Sequence, residues 1–110
     1  MSTIKIAVAQ LDIKAGHPAE NVKKIIAEIM KAREAGDHVI VFPEMAVPGY
    51  LLGDEWENAA FVNDCYAYND DIRKATQNIT AIWGNVDVYS EKRNEDGRLR
   101  KYNAAFIAHN

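Results

Sequence analysis

The sequence lacks most of the features that would announce a function. Its only cysteine is Cys65, so no disulfide can form within the chain, and such sparse thiol usage fits a reducing compartment. There is no basic excess. With 13 Lys and Arg against 16 Asp and Glu, the net charge is −3, which leaves no electrostatic footprint for nucleic acid or an anionic membrane. No apolar run is long enough to cross a bilayer. The N-terminal apolar stretch at 4–11 is short, carries Lys5 and is followed by no small-residue cleavage pattern, so it does not read as an export signal. A cytoplasmic protein is expected.

Other absences narrow the chemistry. The turns at 12–17 and 45–53 match neither the dinucleotide nor the P-loop glycine fingerprint. His17, His38 and His109 are scattered without metal-ligand spacing, so no metal is expected. Asn69-Asp70-Asp71 lacks the spacing of an EF-hand and reads as an exposed helix face. Lys92, Arg93, Arg98, Arg100 and Lys101 are interrupted by Glu91, Glu95 and Asp96, which describes a charged hairpin tip. Asn78-Ile79-Thr80 matches a glycosylation acceptor in form only. No repeat, low-complexity tract or linker divides the 110 residues, and one domain is expected over 1–110.

What is present is an ordinary globular pattern, 48% hydrophobic and 26% charged. Ile4-Lys5-Ile6-Ala7-Val8-Ala9-Gln10-Leu11 reads as a strand apolar on both faces, of the kind covered on each side. Pro18 suits the first turn of a helix running to about Ala35. Val22, Ile25, Ile26 and Ile29 give that helix one apolar face, with Met30 beside them, and Gly36 supplies its left-handed stop. Residues 39–42 form a second strand. A second helix is expected from about Trp56 to Thr76, with Asp54 and Glu55 at its positive end. Phe61, Cys65, Tyr68, Ile72 and Ala75 make its apolar stripe, so Cys65 is expected to be a packed, inert thiol. A third strand at 80–89 alternates Ile82, Val86 and Val88 with Trp83, Asn85 and Asp87. Asp96-Gly97 marks a hairpin turn, and a fourth strand returns through 102–108. The order β-α-β-α-β-β is α/β. Two helices can cover one face of a four-stranded sheet. The other face, equally apolar, is expected to be left open by an incomplete fold and covered by self-association.

The chain is organised around Val39-Ile40-Val41-Phe42-Pro43-Glu44-Met45-Ala46-Val47-Pro48-Gly49-Tyr50. Pro43 has no N–H for a sheet ladder and keeps Phe42 extended, so pairing should stop there. Glu44 is then left at the strand's C-terminal tip, where ligands bind in open α/β sheets. Its apolar neighbours make it a candidate for partial desolvation and a raised pKa, as a general base needs.

These elements carry a resemblance. The first strand ending in Ala9-Gln10, helix one, Val41-Phe42-Pro43-Glu44 and Gly49-Tyr50 resemble the carbon–nitrogen hydrolase (nitrilase) superfamily. The segment from Trp83-Gly84-Asn85-Val86 through Asn94-Glu95-Asp96-Gly97-Arg98 to Tyr102-Asn103-Ala104-Ala105 looks like its third strand and following hairpin. Within the superfamily, the pattern is most similar to the N-terminal glutaminase domain of glutamine-dependent NAD synthetases. The wording Gly-Tyr-Pro-Pro-Glu-Asp, common among those domains, is replaced here by Gly49-Tyr50-Leu51-Leu52-Gly53-Asp54.

The resemblance implies the N-terminal part of a four-layer α-β-β-α sandwich using a Glu-Lys-Cys triad. It places the glutamate at Glu44 and a substrate-side aromatic at Tyr50. The family's lysine and cysteine would fall beyond Asn110, since Lys92, Lys101 and Cys65 match neither. The residues present are therefore expected to be inactive alone. In the implied chemistry a thiolate attacks an amide carbonyl, glutamine in the synthetases. Glu44 takes the thiol proton, passes it to departing ammonia and then activates water against the thioester. No cofactor serves that step; ATP and deamido-NAD would belong to a synthetase domain. Two alternatives stand beside this one: another amidase or carbamoylase of the superfamily, and a non-catalytic flavodoxin-like binding module with a closed parallel sheet.

Overall fold

The structure is a computed structural model that describes residues 2–50, 56–93 and 99–110, with side chains for all of these except 89–93 and 99. The expected loop at 51–55, the placement of Asp54 and Glu55, and the Asp96-Gly97 turn lie outside the described residues. The elements are β1 (Ile6–Val8), α1 (Pro18–Glu34), β2 (Val39–Val41), α2 (Ala59–Lys74), β3 (Thr80–Arg93) and β4 (Leu99–His109). The strands form one sheet in the order β1-β2-β3-β4. β1, β2 and β3 run parallel, and β4 pairs antiparallel with β3. A flavodoxin-like parallel sheet is therefore not what this sequence builds.

Two boundaries differ from the sequence expectation for identifiable reasons. β1 is three residues long rather than eight; β2 offers only three partners, and Ala9 N donates one last bond to Val41 O at 2.9 Å. α2 starts at Ala59 because Asn58 caps it, its side chain accepting from Phe61 N. α1 begins and ends where Pro18 and Gly36 require, Gly36 having φ +83°.

Strand register divides the residues between two faces. Ile40 and Ala81 pair on the helix side, followed along β3 by Trp83 and Asn85, and all four are buried. Against them pack Val22, Ile25 and Ile29 of α1 and Val62, Cys65 and Ile72 of α2, forming one core. Val62 was not in the expected stripe, whereas Phe61, Tyr68 and Ala75 pack at its margin. Met30, placed beside the apolar face of α1 by sequence, is exposed.

The opposite face is different. Ile6 is 60% exposed, Val8 73% and Ile107 69%, so β1 is covered on one side only, not on both as its sequence suggests. Among the described residues, no helix is long and apolar enough to cross a membrane.

Candidate active site

Past β2 the chain makes one more bond to the sheet, Phe42 N donating to Ile82 O at 2.8 Å, and Pro43 then has no N–H to continue the ladder. Glu44 opens the turn that follows. Met45 takes φ +52°, the left-handed region that a branched or bulky side chain seldom enters and that costs of order 1 kcal/mol or more. Gly49, at φ +73°, closes the turn by donating from its N–H to Met45 O at 2.8 Å.

Contacts from three sides hold this turn in place. Gly16 N donates to Pro48 O at 2.9 Å, and Val47 N donates to Gly84 O at 3.3 Å. Asn21, fully buried on α1, donates from Nδ2 to Val47 O at 2.8 Å and to Lys14 O at 2.9 Å, while its Oδ1 accepts from Lys14 N at 2.9 Å. At Gly84 the turn lies directly on β3. A Cβ there would stand 2.4 Å from Met45 N and 2.7 Å from both Glu44 Cα and Pro43 O. Only a residue without a side chain permits that approach.

Glu44 therefore projects from a fixed main chain. Its Oε2 accepts from Tyr50 Oη at 2.9 Å, and its Oε1 accepts from Asn103 Nδ2. The desolvation expected from its apolar neighbours is absent: the Glu44 side chain is exposed, and its carboxylate is held by donors instead. It stands between two clefts. One, of about 380 Å³, runs over Phe42, Gly84, Asn103 and Ala105. The other, of about 310 Å³, is bounded by Leu11, Ile13, Met45 and Tyr50. The hydrogen bond to Glu44, then partial desolvation and the carboxylate's charge, raise the Tyr50 phenol above its ordinary pKa of 10.0. Tyr50 therefore remains a donor at neutral pH.

The structure brings Tyr50 and Asn103 to Glu44 and keeps Cys65 and Lys101 away. Cys65 is fully buried on the inner face of α2, and burial, assisted by Asp64, pushes its thiol up to about 12. A thiol in that setting is no nucleophile at neutral pH. Lys101 Nζ donates to Trp56 O at 2.7 Å and lies 3.7 Å from Glu57, so it is engaged away from the carboxylate. The side chains of Lys92 and Arg93, and all of Arg98, lie outside the described residues.

His17 stands at the N-terminal boundary of α1 without a side-chain capping bond, His38 accepts from Lys5 N, and His109 pairs with Thr80 at the end of β4. Asn69 corrects the expectation of an exposed polar face on α2. It is half-buried, and its Oδ1 accepts from both Trp83 Nε1 and Asn85 Nδ2, each at 2.8 Å. Asp70 beside it is exposed and pairs with Arg73 and Lys74, which hold its carboxyl below the ordinary range.

Sequence reasoning missed Asn103, Asn21 and Gly84 as parts of the site. Asn103 carried a signal, since asparagine is depleted in strands. Asn21 carried none, because a polar residue in the first turn of a helix is commonplace.

Comparison with known proteins places this geometry in context. The profile described as Carbon-nitrogen hydrolase matches residues 5–110. A glutamine-dependent NAD(+) synthetase of Xylella fastidiosa (strain Temecula1 / ATCC 700964) is 39% identical over 82 residues, covering 74% of this chain and 15% of the relative. The crystal structure of a glutamine-dependent NAD(+) synthetase from Cytophaga hutchinsonii superposes with a TM-score of 0.85 at 23% identity, over 99% of this chain and 17% of that one. An amidase from Nesterenkonia sp. superposes with a TM-score of 0.67 at 18% identity, over 91% of this chain and 42% of that one. The chain thus spans about a sixth of the length of the synthetases it matches.

Proposed function

The chain belongs to the carbon–nitrogen hydrolase family, and from that membership we propose that it supplies the general base of an amide-hydrolysing site, with glutamine as the amide and Glu44 as the base. The observation that carries this reading is the exposed carboxylate of Glu44, anchored on both oxygens at the rim of two clefts. The sequence likeness to glutamine-dependent NAD(+) synthetases supports glutamine as the substrate.

The chemistry follows from what an exposed, oriented carboxylate can do. A thiol is a poor nucleophile until its proton is removed, and an amide is a poor electrophile. Glu44 accepts the thiol proton as sulfur adds to the carbonyl carbon, then returns it to nitrogen as the C–N bond breaks and ammonia leaves. It next takes a proton from water as the water oxygen adds to the thioester carbon; the C–S bond then breaks, glutamate leaves, and the proton returns to sulfur. Tyr50, protonated throughout, orients the base and forms one wall of the substrate cleft. The nucleophilic cysteine and the lysine that steadies the oxyanion lie outside residues 1–110 on this reading, so these residues alone do not turn over. ATP and deamido-NAD likewise belong to a synthetase domain and not to the amide step. The cytoplasm is the compartment in which this chemistry would run.

The test uses the protein as expressed in full from its gene. Glu44→Gln lowers glutamine hydrolysis by about 10²-fold or more while leaving ammonia-supported synthesis intact. Unchanged hydrolysis in that variant removes Glu44 from the role. Turnover of a carbamoyl or simple aliphatic amide in preference to glutamine moves the protein to another branch of the family.

A further inference from the structure

We infer that Asn103 is a positioning residue that fixes the Glu44 carboxylate from the opposite strand of the sheet, an inference that rests on Glu44 being the general base. Three rotatable bonds separate the Glu44 carboxylate from the main chain, and its side chain is exposed. Nothing in its own packing selects one orientation. Tyr50 grips Oε2, but it belongs to the same turn, six residues on, and moves with it. Asn103 grips Oε1 from β4, 59 residues away, where its position is set by the ladder that pairs it with Val86 of β3. It is the one of the two donors that refers the carboxylate to the sheet rather than to the turn.

The residue type suits that task. An amide N–H donates without bringing a charge, so it orients a proton acceptor without forming an ion pair that competes for its charge. A carboxylate has about four acceptor positions, so two donors still leave room for the proton it must take. Asn103 is exposed in a strand, where asparagine is disfavoured, and contributes nothing to the core. Its neighbours Ala104 and Ala105 are small and keep the adjoining cleft open. The site is thereby assembled from the turn at 43–49 and β4 together.

The experiment has two arms. In the protein as expressed in full, Asn103→Ala lowers kcat for amide hydrolysis about 10- to 100-fold, with KM changed less than about 2-fold and the thermal midpoint unmoved. Asn103→Asp, which sets a second carboxylate against the first, lowers kcat further. Full kcat in Asn103→Ala, or a fall that tracks a lost thermal midpoint, overturns the inference. It does so separately from the general-base reading, which stands or falls with Glu44→Gln.

The second arm needs no turnover. By NMR, the side-chain amide protons of Asn103 follow the ionisation of Glu44 and lose that dependence in Glu44→Ala. Asn103 amide signals indifferent to Glu44 overturn the contact itself.

Discussion

The two faces of the sheet follow different rules. On the helix side Ile25, Ile29, Ile72 and Ala81 are fully buried, and the buried Asn85 is accommodated by partners, its Nδ2 donating to Cys65 O and Asn69 Oδ1. On the other side Ile6, Val8 and Ile107 are left in the open, while the turn at Pro43–Met45 lies directly on Gly84. The first face supplies stability, and the second carries the candidate chemistry. What joins them is main chain: the turn bearing Glu44 rests on the open side but is tied through Asn21 to a helix on the closed side.

That contrast can be broken by substitution. The largest effect on stability is expected on the closed face. Ile72→Ala removes a fully buried side chain and should cost about 2–5 kcal/mol in denaturant unfolding. A cost below about 1 kcal/mol would mean that the helix side is not the structural core.

Gly84→Ala comes next. Its new methyl meets backbone rather than a yielding side chain, so a loss of about 1–3 kcal/mol is expected, accompanied by loss of hydrolysis in the full protein because the Glu44 turn must lift. Retained activity in Gly84→Ala would show that the turn need not lie against β3.

The smallest effect on stability belongs to the open face. Val8→Lys, on an edge strand at 73% exposure, should change unfolding of the dilute protein by no more than about 0.5 kcal/mol. The same change sharpens the comparison in another way. Self-association through the apolar open face should make light scattering after size exclusion depend on concentration, and Val8→Lys should abolish that dependence. A wild-type monomer at every concentration would end the expectation of self-association.

Much of the closed face was legible in sequence because it depends on periodicity and caps. The 3.6-residue spacing of Val22, Ile25 and Ile29 and the punctuation by Pro18 and Gly36 identify α1 within a residue. The Phe42-Pro43-Glu44 sequence likewise located the end of β2, since a missing N–H acts locally. The open face was harder to read. Alternation shows that β1 is apolar on both sides but cannot show that only one is covered.

The site was legible only where its parts are near in sequence. Glu44 and Tyr50, six residues apart, were both singled out in the sequence, and the structure joins them by a hydrogen bond. Asn103 and Gly84 reach the same place through strand register, which a single sequence does not display. The expected desolvation of Glu44 is not seen: Ala46 and Val47 are buried, whereas the exposed carboxylate is met by Tyr50 from its own turn and by Asn103 from β4.

The bare backbone at Gly84 has a consequence for how such a pocket can diversify. Because Pro43, Glu44 and Met45 seat on main-chain atoms, the anchor point of the acid is indifferent to which side chains line the clefts around it. If Glu44 is the base of an amide-hydrolysing site, exchanging Leu11, Ile13 or Ala105 would reshape the clefts while the acid keeps its address. On that proposed role, selectivity and proton transfer would rest on separately adjustable parts of one small sheet.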